Sequence, residues 1–156
     1  MRMPREETNR MKKEKESDYI PTAFYDKIRK TIPIASVEAL IFKDNALLLM
    51  RRNTQPAKGE LWFPGGRIRK GENLEQTLHR EVKEETGLDV NSYKLINVYS
   101  RIFPERQDIT IVYQCTCKGK VKLNNEHSEY GFFKTLPNGL NPYLLETIKD
   151  AQRKHM

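Results

Sequence analysis

No apolar run in this sequence approaches the roughly 20 residues that a membrane-crossing helix requires. The first residues, MRMPREETNRMKKEKES, hold no apolar core of the signal-peptide type. Cysteine is nearly absent, and Cys115 and Cys117 stand one residue apart on a predicted strand, badly placed for bonding to each other. With no second pair they make no zinc site and read as small apolar strand residues. These absences predict a soluble protein of the reducing cytoplasm with no membrane partner. Also missing are a nucleic-acid recognition motif and a basic stripe interleaved with aromatics. No specific nucleic-acid partner is therefore expected, despite a net charge of +7.

What is present suits one globular domain: 156 residues, of which 37% are hydrophobic. The positive balance favours an anionic partner, either a polymer or a small phosphate ester. Residues 1–18 mix basic side chains with glutamates and read as a charged, flexible leader with almost no large apolar group. Residues 19–31 read as a leader helix, with Phe24, Tyr25 and Ile28 at helical spacing and Thr22 near its cap.

The main domain, 32–155, opens with IPIASVEALIF (32–42) as a mostly buried strand, KDN as a turn and ALLLMRR (46–52) as the hairpin partner. The loop NTQPAKGE leads to LWFPGG, a short extended piece. A helix is expected from about Asn73 to Thr86, ended by Gly87. Strands follow at 93–103, 109–117 and about 130–134, and Asn141-Pro142 starts a last helix with Leu144, Leu145 and Ile148 on one face. Helices interspersed with local and non-local strands predict an α/β (α+β) fold, a mixed sheet between helices on its two faces.

The segment Phe63 to Leu88, FPGGRIRKGENLEQTLHREVKEETGL, crowds like charges together. At ~100° per residue, Glu81, Glu84 and Glu85 fall within an arc of roughly 100° on the predicted helix. Leu74, Leu78 and Val82 form the adjoining apolar stripe. Glu81 and Glu85 are a like-charge pair at i,i+4, which costs a few tenths of a kcal/mol in a solvated helix. A hard divalent cation offsets that repulsion directly, because Mg²⁺ takes carboxylate oxygens together with water and phosphate oxygens. A plain charged helix face is the competing reading.

The flanks decide between the two. Gly66, Glu72, Arg80-Glu81-Val82, Glu84-Glu85 and Gly87-Leu88 occur at the spacing of the signature box of the Nudix hydrolases, which this chain resembles. The resemblance implies a Nudix-type mixed sheet sandwiched between helices and Mg²⁺-dependent hydrolysis of a phosphoanhydride, with Mn²⁺ as an alternative metal. It implies metal ligation by Glu81, Glu84 and Glu85, with Glu72 and Gly66 in support. Arg80, one turn before Glu84, is placed to fix a carboxylate rotamer. For the proton-accepting carboxylate the candidates are Glu84, Glu85, and Glu126 and Glu129 of the loop NNEHSEY. His127 of that loop reads first as a surface histidine.

Arg52 and Arg67 are the first candidates for phosphate contacts, followed by Arg51, since guanidinium groups match phosphate oxygens bidentately. Trp62 and Phe63 read as packing rather than as base-stacking groups. The stretch RRNTQPAKGELWFPGGRIRKGENLE resembles the GDP-mannose mannosyl hydrolase branch, but that branch departs from the standard box and attacks a sugar carbon. The unbroken box here favours attack at phosphorus. The expected substrate is a nucleoside diphosphate linked to another moiety, of the nucleotide-sugar or ADP-ribose type. A nucleoside triphosphate pyrophosphohydrolase, a mannosyl hydrolase and a nucleotide- or RNA-binding module remain open. The apolar residues of the leader helix need a cover, and a homodimer is expected.

Overall fold

The computed structural model describes residues 20–154, so the charged leader lies outside the described residues. Helix α1 (Thr22–Thr31) follows Pro21, and no side chain caps it. Thr22 is thus its first residue rather than its cap. Phe24 is 58% exposed, whereas Tyr25 and Ile28 are half-buried.

Strands β1 (Ile34–Lys43) and β2 (Ala46–Arg52) form the expected hairpin. Its two-residue turn, Asp44-Asn45, has positive φ at both positions, 51° and 62°. That backbone matches the twist of the flanking strands. Next come β3 (Leu61–Trp62), β4 (Gly65–Arg67), helix α2 (Leu74–Thr86), β5 (Asp89–Ile102), β6 (Gln107–Lys118), β7 (His127–Phe133) and helix α3 (Pro142–Arg153). The main sheet path is β3-β2-β1-β6-β5, with β4 paired to β1 and β7 to β2. Only β1 and β6 run parallel among these pairs, which makes the sheet mixed as expected.

Strand periodicity divides the core between two faces. Leu40, Leu49, Ile96 and Val112 join Trp62 and Phe63 under α3, where Leu144 and Ile148 are buried. Val37, Ala39, Ile41, Leu48 and Met50 point the other way, onto Leu78 and Val82 of α2. Each of those two helix side chains contributes on the order of 1.5–3 kcal/mol by leaving water. Leu74, expected in the same stripe, is 38% exposed at the first position of α2. Cys115 and Cys117 are free, and both face the α2 side. No helix among the described residues is long and apolar enough to cross a membrane.

Two junctions place the chemistry. The register pairs Glu38 with Gly65, Val37 with Gly66 and Ser36 with Arg67, which lays the double glycine beside the middle of β1. Helix α2 begins at a reciprocal cap: Asn73 Oδ1 accepts from Gln76 N at 2.8 Å, and Gln76 Oε1 accepts from Asn73 N at 2.9 Å. Gly87, at φ 73°, ends the helix.

Candidate active site

The carboxylates of α2 are organised around Arg80. Its Nε donates to Glu72 Oε1 at 2.5 Å and its Nη2 to Glu72 Oε2 at 2.9 Å, a fork that fixes Glu72 from two sides. Nη1 donates to Glu81 Oε1 at 2.5 Å and reaches Glu84 Oε2 at 3.4 Å, and Nη2 also meets the Arg67 carbonyl at 3.0 Å. One guanidinium therefore ties the start of the helix, its acidic face and the glycine turn together. Its hydrogen bonds hold the Glu72 carboxyl down at about 2, helped by donation from Arg69 N and Thr77 Oγ1.

Glu85 sits differently from the edge position its arc suggests: it is buried, 2% exposed, with Oε2 accepting from Gly65 N at 2.9 Å. Burial pushes its pKa well above the usual carboxylate range, and the nearby charges of Glu81 and Glu126 push it further. Burial raises Glu81 as well; Arg80 opposes the shift, while Glu84 and Glu126 add to it. Gly66 makes room for this arrangement. A methyl group there would stand 2.5 Å from the Glu81 carboxyl carbon, far inside van der Waals contact.

Glu81, Glu84, Glu85 and Glu126 line a cavity of about 220 Å³ together with Arg67 and Arg69. No group of three or more carboxylate, imidazole or thiolate side chains stands ready as a cation-binding set among the described residues. Glu81 is turned to Arg80 and Glu85 to the Gly65 amide. The donors are nevertheless hard oxygens, and neighbouring carboxylates raise both pKa values, Glu84 and Glu126 that of Glu81 and Glu81 and Glu126 that of Glu85, the electrostatic deficit that a divalent cation fills. The residues present fit Mg²⁺ or Mn²⁺.

A second cavity, about 240 Å³, lies next to the first, and Gly65, Gly66, Arg67, Glu85 and Glu126 line both. Arg52 lines the second cavity, its Nε donating to the Pro56 carbonyl at 2.6 Å. Thus Arg52, Arg67 and Glu126 come together with the helix carboxylates. Arg51 and Glu129 do not: they pair with each other and line neither cavity. The loop histidine His127 is not at the surface but 5% exposed, with neither ring nitrogen hydrogen-bonded. Burial lowers its pKa to about 4, with the positive charge of Arg52 as the next cause.

Sequence reasoning passed over the floor of the second cavity. Glu38 and Arg101 form a buried ion pair there, and Trp62 Nε1 donates to Glu38 Oε2 at 2.6 Å. Arg101 Nη2 donates to Thr147 Oγ1 at 2.8 Å, which joins the floor to α3. Arg106 pairs with Asp108 at 2.8 Å, and Tyr25 of α1 completes the wall. The signals were a single acid inside the apolar run ASVEALIF and a single base in NVYSRIF, each on the inward face of its strand.

Comparison with known proteins agrees with this geometry. A NUDIX domain model matches residues 33–141. The ADP-ribose pyrophosphatase of Methanocaldococcus jannaschii is 38% identical over 106 residues, 65% of this chain and 62% of that protein's length, so the chain spans less than two thirds of this relative. The low-salt glycan biosynthesis protein Agl8 of Haloferax volcanii is 26% identical over 147 residues, covering 88% of this chain and 94% of that protein. The crystal structure of a MutT protein from Methanosarcina mazei superposes with a TM-score of 0.72 at 29% identity, covering 80% and 97% of the two chains. With the box assembled around Arg80 and a domain model matching most of the sequence, the chain belongs to the Nudix hydrolase family.

Proposed function

We propose that the protein hydrolyses a nucleoside diphosphate linked to a second moiety, of the nucleotide-sugar or ADP-ribose type, with water attacking phosphorus. The observation that supports this best is the wall common to the two cavities: Gly65, Gly66, Arg67, Glu85 and Glu126 face both. A substrate lying along this groove sets its diphosphate at the carboxylate end and an attached group in the arginine-lined end. Arg52 and Arg67 supply cationic contacts for a two-phosphate bridge. The name of the M. jannaschii relative, an ADP-ribose pyrophosphatase, is in keeping with such a substrate.

Glu81, Glu84 and Glu85 are assigned to Mg²⁺, or Mn²⁺ in its place, with Glu72 and the Gly66 backbone in support. When bound, the cation offsets charge on the phosphoryl oxygens and acidifies the attacking water. Arg80 keeps Glu72 and Glu81 in fixed rotamers. Glu126, which borders both cavities, is the first choice to accept the water proton, ahead of Glu84, Glu85 and the distant Glu129. A bond from the water oxygen to phosphorus forms as the P–O–P bridge breaks, giving a nucleoside monophosphate and a phosphorylated second moiety.

The free cysteines accord with a cytoplasmic setting. A homodimer covers the apolar groups left open near α1, Phe24 at 58% and Ile32 at 56% exposure. Light scattering at several concentrations tests the dimer, and a constant monomer mass rejects it. The functional reading is tested by incubating the protein and Mg²⁺ with ADP-ribose, nucleotide sugars and nucleoside triphosphates and identifying the products. A nucleoside monophosphate with a sugar phosphate is expected. Pyrophosphate released from triphosphates alone would replace this reading with a triphosphate pyrophosphohydrolase.

A further inference from the structure

Helix α1 lies outside residues 33–141, the part matched by the family model, yet it reaches the site. It is anchored at two points. At one, Arg29 Nη1 donates to the Glu105 carbonyl in the β5–β6 loop at 3.2 Å, and Arg29 Nε is held by Asp26 at 2.9 Å. At the other, the Arg67 guanidinium stands over the Tyr25 ring, 5.9 Å from its centroid. Arg67 borders both cavities, so Tyr25 sits beside the junction where the diphosphate end gives way to the attached group.

Tyr25 is half-buried yet belongs to neither apolar core cluster. No residue of α1 is buried, and the Tyr25 ring has no aromatic partner among the described residues. Its ring meets the Arg67 cation and borders the second cavity. The lining of that cavity also carries Phe103, whose ring is already engaged by Trp62 at 5.9 Å and Tyr143 at 5.7 Å. A ring whose ring contact is the Arg67 guanidinium, on the lining of a cavity that also carries the polar pair Arg106 and Asp108, is suited to a flat heteroaromatic group.

Resting on the diphosphate reading above, we infer that Tyr25 is a substrate-contacting residue: its ring stacks on the nucleobase, and α1 is the element that selects base-bearing diphosphates over bare ones. Arg67 then serves both ends, the diphosphate through its guanidinium edge and the stacking ring through its face.

The test separates binding from turnover. Calorimetry on the full chain with Mg²⁺ compares ADP with inorganic pyrophosphate for the wild type, Tyr25→Ala, Tyr25→Phe and Tyr25→Trp. Tyr25→Ala is expected to weaken ADP about tenfold, in keeping with loss of one base–aromatic stack, and to leave pyrophosphate within about twofold. Phe and Trp restore ADP binding, because the ring and not the hydroxyl does the work. In turnover of ADP-ribose the same loss is expected in KM rather than kcat. Equal weakening of ADP and pyrophosphate, unchanged ADP binding in Tyr25→Ala, or wild-type protein that binds ADP no better than pyrophosphate overturns the inference. Selective weakening of ADP in a protein that turns over no diphosphate derivative would uphold the stacking site and reject the hydrolytic reading.

Discussion

Alanine placed at Gly65 or Gly66 adds the same methyl group at adjacent positions, and the structure predicts opposite consequences. At Gly65 the new carbon meets backbone, standing 2.8 Å from Glu38 Cα and closer still to the Val37 carbonyl oxygen. Neither atom can yield without moving β1, and the pairing of Glu38 with Gly65 and of Val37 with Gly66 must open. Overpacking of this kind costs about 1–3 kcal/mol. In a domain of this size that lowers Tm by about 3–10 °C.

At Gly66 the obstacle is the end of the Glu81 side chain, 2.5 Å from the added carbon. The carboxylate has to retreat by about 0.9 Å to reach the 3.4 Å of ordinary contact, and it swings within a solvent-accessible cavity. The stability cost is therefore under about 1 kcal/mol, whereas a displacement near 1 Å at a catalytic group costs about 100-fold in rate. Thermal unfolding and kcat on the same two variants check this. The reasoning is refuted if Gly66→Ala keeps kcat within threefold of wild type, or if it lowers Tm as much as Gly65→Ala does.

Four further outcomes are expected. Glu85→Gln removes most turnover at saturating Mg²⁺ but leaves Tm equal or higher, because a buried carboxylate repelled by Glu81 and Glu126 becomes neutral; a drop in Tm together with retained turnover contradicts it. Arg80→Lys loses the fork to Glu72 and the reach to Glu81, so kcat falls about 10–100-fold, read against a circular dichroism spectrum that stays native. Buried, neutral His127, with a pKa of about 4 against 6.5 when unfolded, makes stability complete above pH 6.5 and progressively lost as pH falls towards 4. The loss reaches up to about 3 kcal/mol, and His127→Asn flattens that part of a urea-unfolding profile. Arg52→Ala raises KM more than Arg51→Ala does, since only Arg52 borders the cavity.

How far each residue's role could be read from the sequence followed from how local its cause is. The helix over Leu74–Thr86 is written in a cap, a terminal glycine and a 3.6-residue period, and the hairpin in the Asp44-Asn45 turn; both appear where these features put them. The gathering of Glu81, Glu84 and Glu85 needs only helical spacing. Burial of Glu85 does not follow from that spacing, because it depends on Gly65 arriving from β4 to donate to its carboxylate. The same limit hid the Glu38–Arg101 pair: the two residues meet only because β1 and β5 flank β6 in the sheet, an order that no local pattern encodes. Arg51 and Arg52 are neighbours in one strand and point to opposite faces, so sequence alone ranked them close together while the sheet separates them. His127 looked like a loop residue because the polar run around it resembles a turn, but β7 begins there and pairs it with Arg52.

The central claim is that this groove directs water to phosphorus in a nucleoside diphosphate derivative. Hydrolysis of ADP-ribose and of a GDP-linked sugar in ¹⁸O-labelled water, with the products resolved by mass spectrometry, tests it most directly. The account predicts the label in a phosphate-bearing product, paired with an unlabelled phosphate partner. Label found only in a free sugar, with the nucleoside diphosphate released intact, would contradict it.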